Sequence, residues 1–421
     1  MLTNDDKALI LLCSHVGINN TDIKPLTLKQ WNDLANLITN SDIKRPENLF
    51  NMDSEQMCTE LKISKADGDY IAKLLSRRVE LGIELERLFA KGIKVITRAN
   101  PMYPTKLRKL LKDQAPPVIF YCGNLSLANE DGIGIVGSRN LKEEYVEFTK
   151  KLVQKSVKEN LVIFSGGARG IDDTSEKEAF NIGGRYVSFL ADSLESKIKK
   201  KDVRDKINTN RVLLMTATKP DVGFSVGFAM NRNKFIYALS KGTFIIASDY
   251  KKGGTWAGAT ENLRHNWSKT FVRQDLNLKG IQELIKLGAI PIENINNINI
   301  REILDKDEIN KEESDKIEQI DISSLLGNQL NNELDNNTIK NDTVSIDNIK
   351  EVDKIEANNY DLYNIIIETL VEVLREEKTT DELSEILNVN KVQLNAWLNR
   401  AVKEKKIKKI QKPVRYIGYN N

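Results

Sequence analysis

From about Ile93 to Ile292 the chain alternates short runs in which nearly every position is apolar with longer stretches whose apolar residues recur at helical spacing. The short runs read as strands: IGIVG from residue 133, LVIFS from 161, RYVSFL from 185, VLLM from 212, TFIIAS from 243 and KTFVR from 269. A strand that is apolar throughout is covered on both faces, as in a parallel sheet carrying helices front and back. The stretches EYVEFTKKLVQKSV, DDTSEKEAFNIGG and MNRNKFIYALSKG fill the crossovers. This texture predicts an α/β fold, a doubly wound parallel sheet, over residues 99–293.

The flanks have other patterns. Residues 1–98 read as a helical accessory domain, with Thr27 and Gln30 forming a capping box and one long helix through KADGDYIAKLLSRRVELGIELERLFAKG that stops at Gly92. Residues 294–357 are dominated by Asn, Asp, Glu and Ile, and no aromatic residue occurs between Phe271 and Tyr360. Such a stretch buries little, and it is predicted to be a mostly disordered acidic linker. Residues 358–421 give a helix, then TTDELSEIL, a turn at NVN, a further helix through Trp397 and Leu398, and a basic hairpin-like end. That order predicts a winged helix-turn-helix.

Composition changes the picture in only a few places. At 421 residues, two or three domains are expected. The net charge of +3 argues neither for nor against nucleic acid, so charge has to be read locally. Cys13, Cys58 and Cys122 are odd in number and far apart, as reduced thiols are, and with only His15 and His265 beside them no metal-ligand spacing appears. No metal or cofactor is expected. The opening MLTNDDKALILLCSH is too short and too acidic for a signal peptide, and no run approaches the ~20 apolar residues of a membrane span, so a soluble cytoplasmic protein is expected.

Candidate chemistry gathers in loops after predicted strands. Gly137, Ser138 and Arg139 follow the first directly: a glycine that admits close approach, a hydroxyl, and a planar guanidinium fork suited to phosphate. Ser165, Gly166 and Gly167 follow the second as a turn whose amides are arranged to make an anion-binding nest, Arg169 adds a fork, and Asp172 is placed to cap the next helix and structure the loop. Arg232, Asn233 and Lys234 open an apolar helix, and Gly253 and Gly254 form a glycine-rich turn after the 243 strand. Neither the dinucleotide fingerprint nor the P-loop occurs. Glu176, Glu178 and Glu261 lie near these loops without a nucleophile and base to accompany them, so a binding surface is expected rather than an enzyme.

YPTKLRKLLKDQAPPVIFYCGNLSL, GIGIVGSRN, FSGGARGID, RNKFIYALS and GGTWAGA occur in this order, and through them the chain resembles the DprA/Smf DNA-processing family from about residue 100 to 275. The resemblance implies a Rossmann-like domain that binds single-stranded DNA, forms a homodimer and helps load a RecA-type recombinase, in natural transformation, recombination or mobile-element defence. It also implies a phosphate pocket holding Arg139, Arg232 and Lys234 and shaped by Gly166, Gly167 and Arg169. The chain departs from the family pattern at Glu176, where a histidine is usual, at Lys234 in place of an arginine, and at FVRQDLN after the last strand, which marks a divergent member.

Two other readings stand beside this one. GGTWAGATE faintly resembles the G-G-x-G-T-x-x-E turn of cytokinin-activating phosphoribohydrolases, with Glu261 as the acid, which implies a nucleotide sensor or a nucleotide-cleaving enzyme. The cluster of Lys403, Lys405, Lys406, Lys408, Lys409, Lys412 and Arg415 suits either a solvated face or a winged helix that binds duplex DNA or protein.

Overall fold

The structure, a computed structural model, describes residues 2–18, 23–306, 367, 370, 371, 373, 374, 376–387, 391–410 and 415–418. Most of the predicted linker therefore lies outside the described residues. The chain divides into two compact units, Met1–Asn331 and Asn332–Asn421.

The first unit is built on a nine-stranded sheet. Its strands are β1 (Lys94–Thr97), β2 (Val118–Gly123), β3 (Gly132–Val136), β4 (Val162–Ser165), β5 (Tyr186–Phe189), β6 (Val212–Thr216), β7 (Gly242–Ile245), β8 (Lys269–Arg273) and β9 (Ile290–Ile292), in the spatial order β1-β2-β6-β5-β4-β3-β7-β8-β9. From β6 to β9 every pairing is parallel, while β2 runs antiparallel to β6 and β1 antiparallel to β2. The predicted strands are β3 to β8. Every residue of β3, β4, β5, β6 and β7 is buried, as expected of strands covered on both faces.

Helix α6 (Thr105–Leu111) lies between β1 and β2, α7 (Glu143–Lys158) and α8 (Ile171–Asn181) make the first two crossovers from β3, and α9 (Leu194–Ile198) and α10 (Lys201–Ile207) the third. The chain thus moves outward from β3 to β6. Helix α11 (Val226–Leu239) then packs back across β5, β4 and β3 to deliver β7 on the far side of β3, and α12 (Gly253–His265) and α13 (Lys279–Lys286) continue outward. The direction of winding reverses between β3 and β7.

The helical front comprises α1 (Asn4–Cys13), α2 (Leu28–Asn40), α3 (Ser54–Leu61), α4 (Lys65–Leu75) and α5 (Arg78–Ala90). The capping box at Thr27 and Gln30 forms as read. The single long helix predicted before Gly92 is instead two, α4 and α5, broken at Ser76 and Arg77. The cause is tertiary: the buried Arg77 guanidinium donates to the carbonyls of Leu74, Val16 and Leu11, which fixes the chain between the helices. The front shares a hydrophobic cluster with the sheet, in which Leu9 and Leu12 of α1 join Ile133, Ile163 and Leu214. Asp6 also accepts from Thr97 Oγ1 of β1 at 2.6 Å.

Residues 294–306, read from sequence as the start of the disordered linker, are folded. Ile295, Ile300 and Leu304 are buried, and Glu159 accepts from the amides of Ile300 and Arg301 at 3.0 and 2.7 Å. Sparse isoleucines suffice here because the sheet offers a ready apolar surface.

In the second unit, helices Thr380–Leu387 and Lys391–Lys403 precede a hairpin of β10 (Ile407–Ile410) and β11 (Arg415–Gly418), and Lys378 bridges to Tyr416. Leu383, Leu394, Leu398, Ile407 and Tyr416 are among its buried core residues.

Candidate functional site

Ligands of doubly wound sheets bind at the carboxyl ends of the strands, where the winding reverses. Here that point lies between β3 and β7, and the loops leaving β4, β3 and β7, three neighbours in the sheet, open beside it.

The loop after β3 carries Gly137, Ser138 and Arg139. Gly137 O accepts from Thr255 Oγ1 at 3.2 Å and Ser138 O from the amide of Ile171 at 3.3 Å, so α12 and α8 pin it from two sides. Ser138 Oγ accepts from the amide of Asn140. Arg139 itself is exposed, with its guanidinium carbon 5.2 Å from the ring centroid of Phe224, a contact that consumes none of its N–H donors.

The loop after β4 is tighter. Ser165 Oγ donates to Ile135 O across the strands at 3.1 Å. Gly166 is buried against the guanidinium of Arg232, and a Cβ there would occupy the position of Nη1. Gly170 has φ +91°, and a Cβ on it would stand 2.5 Å from Ser138 O, so only glycine joins the two loops this closely. Arg169 is exposed and makes no ion pair among the described residues.

The anion-binding nest expected of this turn is partly filled by the chain itself. Gly167 N donates to Glu176 Oε1 at 2.9 Å, and Ala168 N lies 3.4 Å from Asp172 Oδ2. Asp172 does not cap the helix: α8 starts at Ile171 behind Gly170, and the Asp172 carboxylate turns back to the loop, structuring it from the other side. Lys197, from α9, donates to Gly167 O at 2.7 Å. Burial raises the carboxyls of Asp172 and Glu176 above the usual range, with Arg232 and Lys197 respectively opposing the shift.

Arg232 connects these parts. Its side chain is buried, Nη1 donates to Phe189 O at 2.9 Å, and Nε has no hydrogen-bond partner among the described residues. Burial lowers its pKa, while Asp172, Glu176 and Asp192 act in the opposite direction.

The neighbouring positions do different work. Asn233 Nδ2 donates to Gly254 O at 2.9 Å, which ties α11 to the first turn of α12. Gly253 and Gly254 are exposed, and no side chain caps the amides of that turn, leaving it attractive to an anion. Lys234 lies apart from this group. Two residues beyond Arg232 is roughly 200° around a helix, and Lys234 is buried on the other side, with Nζ 3.4 Å from Gln114 Oε1 and its pKa lowered by burial. Glu261 sits well inside α12, where its charge acts on Lys234 and Tyr237.

The structure therefore gathers Gly137 to Arg139, Ser165 to Arg169, Asp172, Arg232 and the start of α12, and leaves Lys234 out. Lys197, Phe224 and Phe228 were not singled out in the sequence. Lys197 lies in an undifferentiated basic run, Phe224 in a loop without period, and Phe228 in a first turn of α11 that lies ahead of the stretch read as helical from Met230. Among the described residues no group of three or more His, Cys, Asp or Glu is placed to hold a metal, and no helix is long and apolar enough to cross a membrane.

Comparison with known proteins follows the same lines. Residues 94–302 match the family described as DNA recombination-mediator protein A. The chain is 27% identical over 240 residues to a protein named Smf from Synechocystis, covering 49% of this chain and 57% of that one. It is 28% identical over 153 residues to the DNA processing protein DprA of Streptococcus pneumoniae, covering 36% of this chain and 53% of the relative. The matches thus span little more than half the length of these relatives. The solved structure of DprA from Streptococcus pneumoniae superposes with a TM-score of 0.52 at 20% identity, covering 70% of this chain and 96% of that one, and so shares its fold.

Proposed function

Residues 94–302 being a domain of the DprA/Smf DNA-processing family, we propose that this chain binds single-stranded DNA along the carboxyl edge of its sheet and acts as an accessory protein rather than an enzyme. The observation that carries the reading is the grouping of two exposed guanidinium forks, Arg139 and Arg169, on the adjacent loops after β3 and β4, with a third, Arg232 of α11, locked behind Gly166. Exposed forks of this kind suit phosphates, and the uncapped first turn of α12 adds amide donors.

The preference for single strands rests on aromatics. Phe224 is 51% exposed beside Arg139 and Phe228, in the first turn of α11, is 37% exposed, and such rings stack on bases that a duplex keeps covered. The support for a homodimer is an apolar rim at the sheet edge, where Leu276, Leu287 and Ile290 are exposed beside β9. Helix, helix and hairpin in the second unit support a winged helix that holds duplex DNA or a partner, of which a RecA-type recombinase in the cytoplasm is the one the family suggests. Measured by anisotropy of a labelled oligonucleotide, Arg139→Ala and Arg169→Ala are expected to weaken binding to every sequence alike. Unchanged affinity in both contradicts the reading.

A further inference from the structure

The turn after β4 directs its amides inward. Gly167 N donates to Glu176 Oε1 at 2.9 Å, and the amides of Gly166 and Ala168 are aimed at the carboxylate of Asp172. Successive N–H groups of this kind make an anion site, and here two carboxylates of α8 occupy it. Each faces a cation from a different element: Arg232 of α11 acts on Asp172, and Lys197 of α9 on Glu176. Four charges thus lie beneath the turn, two of each sign, and they balance.

Gly167 is held from both sides, since Lys197 Nζ donates to its carbonyl at 2.7 Å. A Cβ on Gly167, which has φ +65°, would stand 2.6 Å from Nζ, so the missing side chain makes room for the lysine. Helix α9 has only five residues, and it is anchored by Glu195, which accepts from Lys91 and Arg87 at the end of α5. Lys197 is therefore a fixed partner and not a loose surface lysine. The turn adjoins both exposed forks: Arg169 follows it directly, a Cβ on Gly170 would stand 2.7 Å from Arg139 Cα, and the charge of Arg139 acts on Arg232 within the group. Glu176 stands where the family pattern has a histidine, so the negative charge at this place is a departure of this chain.

We propose that Glu176 and Lys197 are an affinity-setting pair for the bound strand: the Glu176 carboxylate repels the phosphates held by Arg139 and Arg169, and Lys197 cancels that charge while it fixes the Gly167 peptide. The proposal rests on the strand-binding reading of this edge. Both are positioning residues, which act through the turn and its field rather than on the strand itself. A charge role differs from a packing role in giving the two partners opposite signs. Loss of the Glu176 charge leaves Lys197 unopposed and favours an anion, whereas loss of the Lys197 charge leaves the carboxylate unopposed and disfavours one. A turn that merely loosens weakens binding in both cases.

The full chain is tested by anisotropy of a labelled single-stranded oligonucleotide at low salt, where fields are least screened, as wild type, Glu176→Gln, Lys197→Met and the double variant, with thermal unfolding of each. Glutamine keeps an acceptor for Gly167 N and methionine keeps most of the lysine's length, so charge changes more than shape. Glu176→Gln is expected to tighten binding about threefold or more, Lys197→Met to weaken it by about as much, and the double variant to return to within about twofold of wild type. Should Lys197→Met fail to fold, Glu176→Gln decides alone. Unchanged or weakened binding in folded Glu176→Gln overturns the proposal, as does a double variant no tighter than Lys197→Met. Where wild-type binding is still salt-sensitive and dependent on Arg139, that result overturns the pair and leaves the strand-binding reading standing; where it is neither, both fall.

Discussion

Gly166 and Arg232 depend on each other, because the guanidinium occupies the space a side chain at 166 would fill. In Gly166→Ala either the turn or the arginine must move, and overpacking of this kind costs about 1–3 kcal/mol. Denaturant unfolding should show that loss, and oligonucleotide affinity should fall with it; a variant as stable and as tight as wild type would contradict the packing described. At this scale the sequence was informative where a side chain follows a buried strand directly. Arg139 and Arg169, singled out for their places after β3 and β4, lie exposed on those two loops. It was misleading where two basic residues sit two apart on one helix, since Arg232 and Lys234 then face opposite ways. Lys197 was unreadable, because its role comes from α9 approaching the turn across the sheet.

Among the elements, α9 is held from both ends. While Lys197 grips the loop after β4, Glu195 accepts from Lys91 Nζ at 2.6 Å and Arg87 Nη1 at 3.2 Å, tying α9 to α5 and the helical front to the sheet. Burial alone would raise the Glu195 carboxyl, but these two partners outweigh it and hold it down at about 2. A carboxyl whose folded pKa is depressed contributes stability above its ordinary range of about 4.3, and that contribution is lost as pH falls toward the folded value. With both partners about a third exposed, Glu195→Gln is expected to cost about 1–2 kcal/mol at pH 7, and the gap from wild type to close between about pH 4 and 2. Stability curves at several pH values check this, and a gap that widens in acid contradicts it. The strands β3 to β8 were legible because burial on both faces leaves an unbroken apolar run. β9 was not, being short and interrupted by Pro291, and neither was the break at Arg77, which exists only through carbonyls from α1 and its following turn. The folded stretch at 294–306 escaped notice because its few isoleucines find their partners on the sheet. Ile300→Ala should accordingly destabilise the first unit by about 2–4 kcal/mol, whereas an isoleucine in a disordered linker would cost nothing on thermal unfolding.

At the scale of the whole chain, the proposed strand-binding edge belongs entirely to the first unit, which has its own core. A chain shortened to residues 1–306 should retain its single-strand affinity within about twofold and keep the salt dependence that counts its phosphate contacts. Collapse of both would transfer the activity to the second unit. The central claim is tested most directly by fluorescence anisotropy of labelled single-stranded and duplex DNA at two salt concentrations, comparing wild type with Arg139→Ala. The account predicts salt-sensitive preference for the single strand, weakened in Arg139→Ala for every sequence alike, with the log–log salt slope reduced by about 0.7 for the lost contact. Binding that is indifferent to strandedness, to salt and to Arg139 would contradict it.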